Sequence, residues 1–235
     1  MLTLAFDTSS RTAAVSILKN DDILYDSMIN VDVNHSEVLL PAIDQACQQT
    51  RIKINEIDLF VCTIGPGSFT GLRIGVSTLK GLTLSSGKPA VGVSSLAALA
   101  MNVSVNNNLI CSMMDAGRGQ VYAAYFRYNN EGSLNRITLA KAIEPQNILS
   151  EIDQPIDKSI EFVGDGAIKY ADIIREKMKE ARIASPMQQH IRASAVGIIG
   201  LDKYTRNELL DPAAFVPDYL RSADAKPGRC LFENK

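Results

Sequence analysis

Two acidic turns and two glycine turns hold the residues of this chain best suited to handling a phosphate. The first acidic turn is Asp7, Thr8, Ser9, at the end of the apolar run Leu2 to Phe6. A carboxylate beside hydroxyls can orient a phosphate or a hydrated magnesium ion, and Asp and Thr are also ordinary turn formers. The second is Asp115, which opens DAGRGQVY and ends the run Leu109 to Met114. The glycine turns are GPGSFTGLRIG, Gly65 to Gly75, and Gly164, Asp165, Gly166. GPGSFTGLRIG stands where the strand-like run 58–64 hands over to a helical pattern, the position of a phosphate loop. A P-loop, however, needs GxxxxGK followed by Ser or Thr, so that an ammonium reaches the outer phosphates and a hydroxyl holds magnesium. Here Gly71 is followed by Leu72 and Arg73. Backbone N–H groups of Gly65, Gly67 and Ser68 can still meet an anion at a helix start. Gly71 and Gly75 are one helical turn apart, where missing side chains admit a second helix. The segment therefore supports two readings, nucleotide contact and protein contact.

Other chemistries find little support. Ser68 in GPGSF is not the GxSxG nucleophile elbow, and neither histidine has a recognisable relation to it. A metal site needs several converging donors, whereas His35 and His190 are far apart in sequence. No histidine or lysine within the motifs is placed as an acid, base or phosphate clamp. Arg73 and Lys80 read as solvated helix charges, while Arg118, in a turn, is better placed to meet a phosphate or a partner. Cys47, Cys62, Cys111 and Cys230 form no CxxC pair and read as reduced thiols of a cytoplasmic protein.

The 46% hydrophobic and 21% charged content is that of a globular chain, and 235 residues suit one domain or two small ones. A net charge of −2 gives no global attraction for nucleic acid. MLTLAFDTSS lacks the basic start and long apolar run of a secretory leader, and the uncharged stretch 89–114 is too interrupted by Gly, Pro, Ser and Asn to span a membrane.

The elements that position these turns repeat. Leu2 to Phe6, Thr12 to Leu18 and Ile23 to Val33 read as three strands. Ser36 can cap a helix over Glu37 to Arg51 with Leu39, Leu40, Ile43, Ala46 and Cys47 on one face; Pro41 suggests that its regular part begins later. Asp58 to Ile64 is a buried strand, 70–85 a helix ending near Gly87 and Pro89, Ala90 to Val93 a strand, and Leu96 to Met101 a helix capped by Ser94. After the polar run 105–108 the order recurs: strands Leu109 to Met114, Val121 to Tyr128 and Ile137 to Ile143, a helix at Gln146 to Glu151, a strand Ile160 to Val163, the glycine turn, and a helix over 167–180. A duplication predicts a cleft between two lobes, with Asp7 and Asp115 at facing strand ends and the turns at Gly65 and Gly164 nearby. We place the first lobe at 1–104, completed by a segment near 205–221, the second at 105–204, and a mobile tail at 222–235.

A duplicated βββαβα lobe with an acidic hairpin resembles the actin, Hsp70 and hexokinase class: an α/β fold of duplicated ribonuclease-H-like lobes (ASKHA), mixed sheets flanked by helices. FDTSS at Phe6 to Ser10, GPGSFTGLRIG, GVSSL at Gly92 to Leu96, DAGRGQVY, GDGA at Gly164 to Ala167 and PDYLR at Pro217 to Arg221, in this order, resemble the bacterial TsaB (YeaZ) family over nearly the whole chain. Gly117 departs from the pattern, where a basic or larger residue is expected.

That resemblance implies a non-catalytic subunit for making N6-threonylcarbamoyladenosine (t6A) at position 37 of tRNAs reading ANN codons, with transfer from threonylcarbamoyl-AMP on the relative TsaD. Where TsaD carries an HxxxH metal pair, this chain has Ser95 and Leu99, so the metal is held by TsaD. ATP and magnesium serve the complex through TsaE, with no cofactor required by this subunit. The implied partners are TsaD, TsaE at their junction, a second copy of the chain when TsaD is missing, and tRNA only through the complex. The implied pairing surface is His35, Ser36, Leu39, Leu40, Ile43, Gly71, Leu72, Gly75, Thr78 and Leu79, and a bulky residue at Gly75 is expected to weaken pairing. The nucleotide cleft of Asp7, Thr8, Ser9, Gly65, Gly67, Ser68, Asp115, Gly164 and Gly166 then reads as vestigial. The alternatives are a small ATP-dependent phosphotransferase using the same cleft and, with less support, a glycoprotease-like peptidase.

Overall fold

Side chains alternate across the strand Leu2–Asp7 (β1), which puts Leu4 and Phe6 on one face and Ala5 on the other. In the computed structural model, which describes residues 1–30, 34–151, 160–211 and 216–220, β1 is the central strand of a five-stranded sheet. Ala13–Lys19 (β2) pairs with it antiparallel and carries Asp22–Ile29 (β3) at the edge. On its other side lie, in parallel, Leu59–Gly65 (β4) and Ala90–Ser94 (β5). Helices His35–Thr50 (α1) and Phe69–Ser86 (α2) cover the Leu4/Phe6 face through Leu39, Ala42, Ile43, Ala46, Val76 and Leu79. Each of the buried Leu, Ile and Val side chains among them contributes about 1.5–3 kcal/mol. Ser95–Ala100 (α3) packs on the opposite face, with Ser94 accepting from the Ala97 N–H at its start, as expected.

The second half repeats this. Leu109–Gly117 (β6) is central, flanked by Gln120–Tyr128 (β7) with Leu134–Arg136 (β8) and Lys141–Ile143 (β9) on one side, and by Ile160–Val163 (β10) and Arg182–Ile183 (β11) on the other. The orders β3-β2-β1-β4-β5 and β8-β7-β6-β10-β11 match strand for strand, so the duplication is real. Asp165–Lys169 (α4) and Ala171–Lys177 (α5) pack on the outer face. Among the described residues no helix is long and apolar enough to cross a membrane.

Several expectations need correction. α1 starts at His35 behind Asn34, so Ser36 lies inside the helix and is not its cap. It runs through Pro41, whose exposed position leaves the carbonyl it deprives to water. Of the expected strand 137–143 only Lys141–Ile143 (β9) is strand, with β8 lying just before it, the helix 167–180 breaks at Tyr170, and 146–151 is a 3-10 turn, Pro145–Glu151. Helix Ala193–Thr205 (α6) was grouped with the second lobe, yet it lies on the first lobe's sheet. Cβ atoms at Gly197 and Gly200 would run into Leu18 and Val61, a close approach that needs glycine. Its N-terminus is held from outside: Asp26 of β3 accepts from the Ser194 N–H (3.1 Å), the Ser194 hydroxyl (3.0 Å) and the Arg192 guanidinium (3.1 Å). The chain after α6 stays on this lobe. Leu210 N–H donates to the Ala90 carbonyl and Asp218 N–H to that of Ile64. Expected features at Val31 to Val33, Arg221, Cys230 and the tail 222–235 lie outside the described residues.

Candidate functional site

The first acidic turn is closed upon itself. Asp7 is 0% exposed. Its Oδ1 accepts from the Ser9 N–H (3.0 Å), the Ser9 hydroxyl (2.6 Å) and the Thr63 hydroxyl (2.5 Å), while Oδ2 has no hydrogen-bond partner among the described residues. Burial pushes the Asp7 carboxyl above its ordinary value, and the Ser9 and Thr63 hydrogen bonds act against that. The Thr8 hydroxyl donates to the Gly71 carbonyl at 2.8 Å, and the Ser68 N–H donates to the Ser9 carbonyl at 2.7 Å. Ser68 caps α2, its Oγ accepting from the Gly71 N–H at 3.3 Å. Behind the loop, whose Gly65–Pro66 peptide is cis, Gly65 lies against the Asp218 backbone and Gly67 against Ser9. Asp7, Thr8, Ser9, Gly65, Gly67 and Ser68 are thus brought together as a hydrogen-bonded knot, and Asp7 does not face the space between the lobes.

That space is a cavity of about 390 Å³ lined, among the described residues, by both lobes. Ser10, Arg11 and Asn30 come from loops of the first lobe, Met114 and Asp115 from β6 and Asp165 and Lys169 from α4 of the second, and Leu99 and Gln189 to Ile191 complete it. Of the nine residues assigned to a nucleotide, only Asp115 lies on its wall. Gly164 and Gly166 are buried against Met113 on either side of Asp165. Asp115 Oδ2 accepts from Lys169 at 2.8 Å, and its Oδ1 accepts from the Gly117 N–H at 3.2 Å. Gly117, Arg118 and Gly119 all have positive φ, which accounts for glycine where a larger residue was expected. Arg118 is exposed at this hairpin tip. Arg11, Lys169 and His190 were missed. Arg11 directly follows the FDTSS motif and Lys169 is one turn after Asp165 on α4, which the sequence could have offered; nothing pointed to His190. Among the described residues no group of three or more His, Cys, Asp or Glu could hold a metal.

The helix pair reads differently from its sequence. A Cβ on Gly71 would overlap the Thr8 carbonyl oxygen, and one on Gly75 would stand 2.5 Å from Thr8 Oγ1 and 3.1 Å from Cys62 Sγ. The two glycines, with Leu39, Ile43, Leu72 and Leu79, face the interior of their own lobe, so the internal-packing reading is correct for them and they offer nothing to a partner. Outward, α1 and α2 present among others Ser36, Leu40 (57% exposed), half-buried Thr78, and two residues the sequence reading left out, Gly81, with no atom of the described residues within 4 Å of its would-be Cβ, and Leu84 (71% exposed). His35 is half-buried, and its Nε2 donates to the Ser10 carbonyl at 2.8 Å, which ties α1 to the hairpin at the cavity. Arg73 is not a free charge: it lies 3.8 Å over the Phe69 ring, and its Nε donates to the Tyr219 hydroxyl at 3.3 Å.

The family model described as TsaD, tRNA N6-adenosine threonylcarbamoyltransferase, matches residues 30–228. The tRNA threonylcarbamoyladenosine biosynthesis protein TsaB of Bacillus subtilis is 31% identical over 231 residues, 96% of each chain. The protein of the same name from Escherichia coli is 25% identical, covering 94% of this chain and 95% of its own. A Pseudomonas aeruginosa crystal structure, described as an uncharacterized protein with similarity to peptidase YEAZ, superposes with a TM-score of 0.80 at 22% identity, over 94% of this chain and 99% of that one. Component A of the Acidaminococcus fermentans (R)-2-hydroxyglutaryl-CoA dehydratase follows at 0.53 and 14% identity, over 87% and 99%. The last two speak for the fold, which is the ASKHA-type pair of lobes.

Proposed function

This chain belongs to the TsaB family of tRNA threonylcarbamoyladenosine biosynthesis proteins, and we propose that within that biosynthesis it is a non-catalytic adaptor for TsaD. In this reading TsaD transfers threonylcarbamoyl from threonylcarbamoyl-AMP to adenosine 37 of tRNAs that read ANN codons. TsaE consumes ATP with magnesium at the junction of the pair, and tRNA meets this chain only within the complex. The observation that carries the non-catalytic role is the closure of the first lobe's acidic turn. An aspartate with no exposure, holding three donors of its own chain, cannot orient an incoming phosphate without dismantling the knot around it.

The outward side of α1 and α2 supports the adaptor role. Leu40 and Leu84 are large, apolar and exposed on helices whose other faces are already buried. Scattered exposed leucines are ordinary, but two on one helical layer suit a helix-to-helix interface. A second copy of the chain would use this layer when TsaD is missing, so self-pairing and the functional pair exclude one another. Reconstitution of t6A formation from TsaD, TsaE, the adenylate and tRNA tests the proposal. Modification should require this chain, and full activity without it would sink the adaptor role.

A further inference from the structure

The cavity between the lobes is lined by a guanidinium and an imidazole that no group among the described residues answers. Its carboxylates are engaged: Asp115 with Lys169 and the Gly117 N–H, Asp165 Oδ1 with the N–H groups of Asp115 (3.0 Å) and Gly166 (2.8 Å). Gln189 is engaged too, accepting from the Gly164 N–H at 2.6 Å and donating to the Ala184 carbonyl at 2.5 Å. By contrast, the Arg11 guanidinium and the His190 ring have no hydrogen-bond or ion-pair partner among the described residues, although both line the cavity. Leu99, Met114 and Ile191, all buried, give it an apolar side. A volume of about 390 Å³ suits a small organic molecule.

We propose that this cavity binds a small organic oxyanion, a carboxylate or phosphate monoester, with its head on Arg11 and His190 and its body against Leu99, Met114 and Ile191. Arg11 matches such a head because its planar fork donates two parallel N–H groups to an oxyanion. The wall also limits the charge. Arg11 and Lys169 balance Asp115 and Asp165, so each negative charge beyond the first one or two meets growing repulsion from the two carboxylates. A triphosphate is therefore a poorer fit than a monoester. Because Arg11 stands on the first lobe and Met114 on the second, an occupant would bridge both halves of the molecule.

Isothermal titration of the full chain tests this with AMP, N-acetylleucine, adenosine and magnesium-ATP as probes. Either AMP or N-acetylleucine should bind with a Kd of about 1 mM or tighter, and which of them does so separates the phosphate from the carboxylate. Adenosine and magnesium-ATP should bind at least about tenfold more weakly, the factor carried by a charged hydrogen bond. Arg11→Gln, at an exposed position with no partner among the described residues, should keep the melting temperature, weaken the anion about tenfold, and be partly restored by Arg11→Lys. The proposal is overturned if neither anion binds, if magnesium-ATP binds as tightly as AMP, or if Arg11→Gln and His190→Gln both leave binding unchanged.

Discussion

Replacing the glycines of α2 one at a time by alanine separates a glycine that packs inward from one that faces water. At Gly81 nothing among the described residues lies within 4 Å of the new methyl, so only helix propensity acts, and the variant should gain about 0.8–1 kcal/mol. At Gly75 the same gain opposes a methyl 2.5 Å from Thr8 Oγ1 and 3.1 Å from Cys62 Sγ. The Thr8 hydroxyl is bonded to the Gly71 carbonyl and cannot swing away freely. Overpacking of this kind costs about 1–3 kcal/mol, which leaves a net loss of up to about 2 kcal/mol. At Gly71 the methyl overlaps the Thr8 backbone carbonyl itself, so helix and hairpin must separate and the loss is larger. Urea unfolding followed by circular dichroism should rank the midpoints Gly81→Ala, wild type, Gly75→Ala, Gly71→Ala, with a common slope. If Gly71→Ala and Gly75→Ala are as stable as Gly81→Ala, α2 does not lie on the hairpin as described. The same logic revises the expectation of a pairing defect at Gly75, because a bulky residue there would damage the lobe before it reached any partner.

Three further outcomes follow from the buried groups. Burial raises the Asp7 carboxyl, so its contribution to stability is fully present below its unfolded value near 3.8 and is lost as pH rises through the higher folded value; Asp7→Asn should remove that decline from a stability–pH profile, and an unchanged profile would contradict it. Asp26→Ala removes the acceptor at the start of α6 and should cost about 1–2 kcal/mol, the size of a lost helix cap, in the same urea assay. In a Cys230→Ser background, Cys62 and Cys111, fully buried with their thiols pushed up by desolvation, should resist a thiol reagent until unfolding, while half-buried Cys47 reacts slowly; prompt native reaction of more than one thiol would contradict the packing.

The duplication was readable because each lobe carries its own acidic turn, glycine turn and strand run, and local turn chemistry punctuates a sequence without help from tertiary contacts. The orientation of a helix was not readable. An i,i+4 glycine pair states that Gly71 and Gly75 share a face; which way that face points depends on Thr8 and Cys62, from a turn and a strand elsewhere in the sequence. The lobe to which α6 belongs was hidden for a related reason. Residues 193–201 are almost all apolar or small, so no polar stripe showed which sheet the helix meets. Its capping group, Asp26, is also far away in the chain. Within the site, Asp115 was found through its turn, whereas His190 reaches the cavity only because the two lobes close on each other.

The central claim is that the outward layer of α1 and α2 is the surface through which this chain serves TsaD. Light scattering coupled to size exclusion, run on the chain alone and mixed with TsaD, addresses it directly when wild type is compared with Leu40→Glu, Leu84→Glu. Both leucines are exposed, so the double variant should keep its fold and circular dichroism. We expect wild type to elute as a heterodimer with TsaD and the variant to stay a monomer with or without it; a variant that still pairs with TsaD at wild-type affinity would contradict the account.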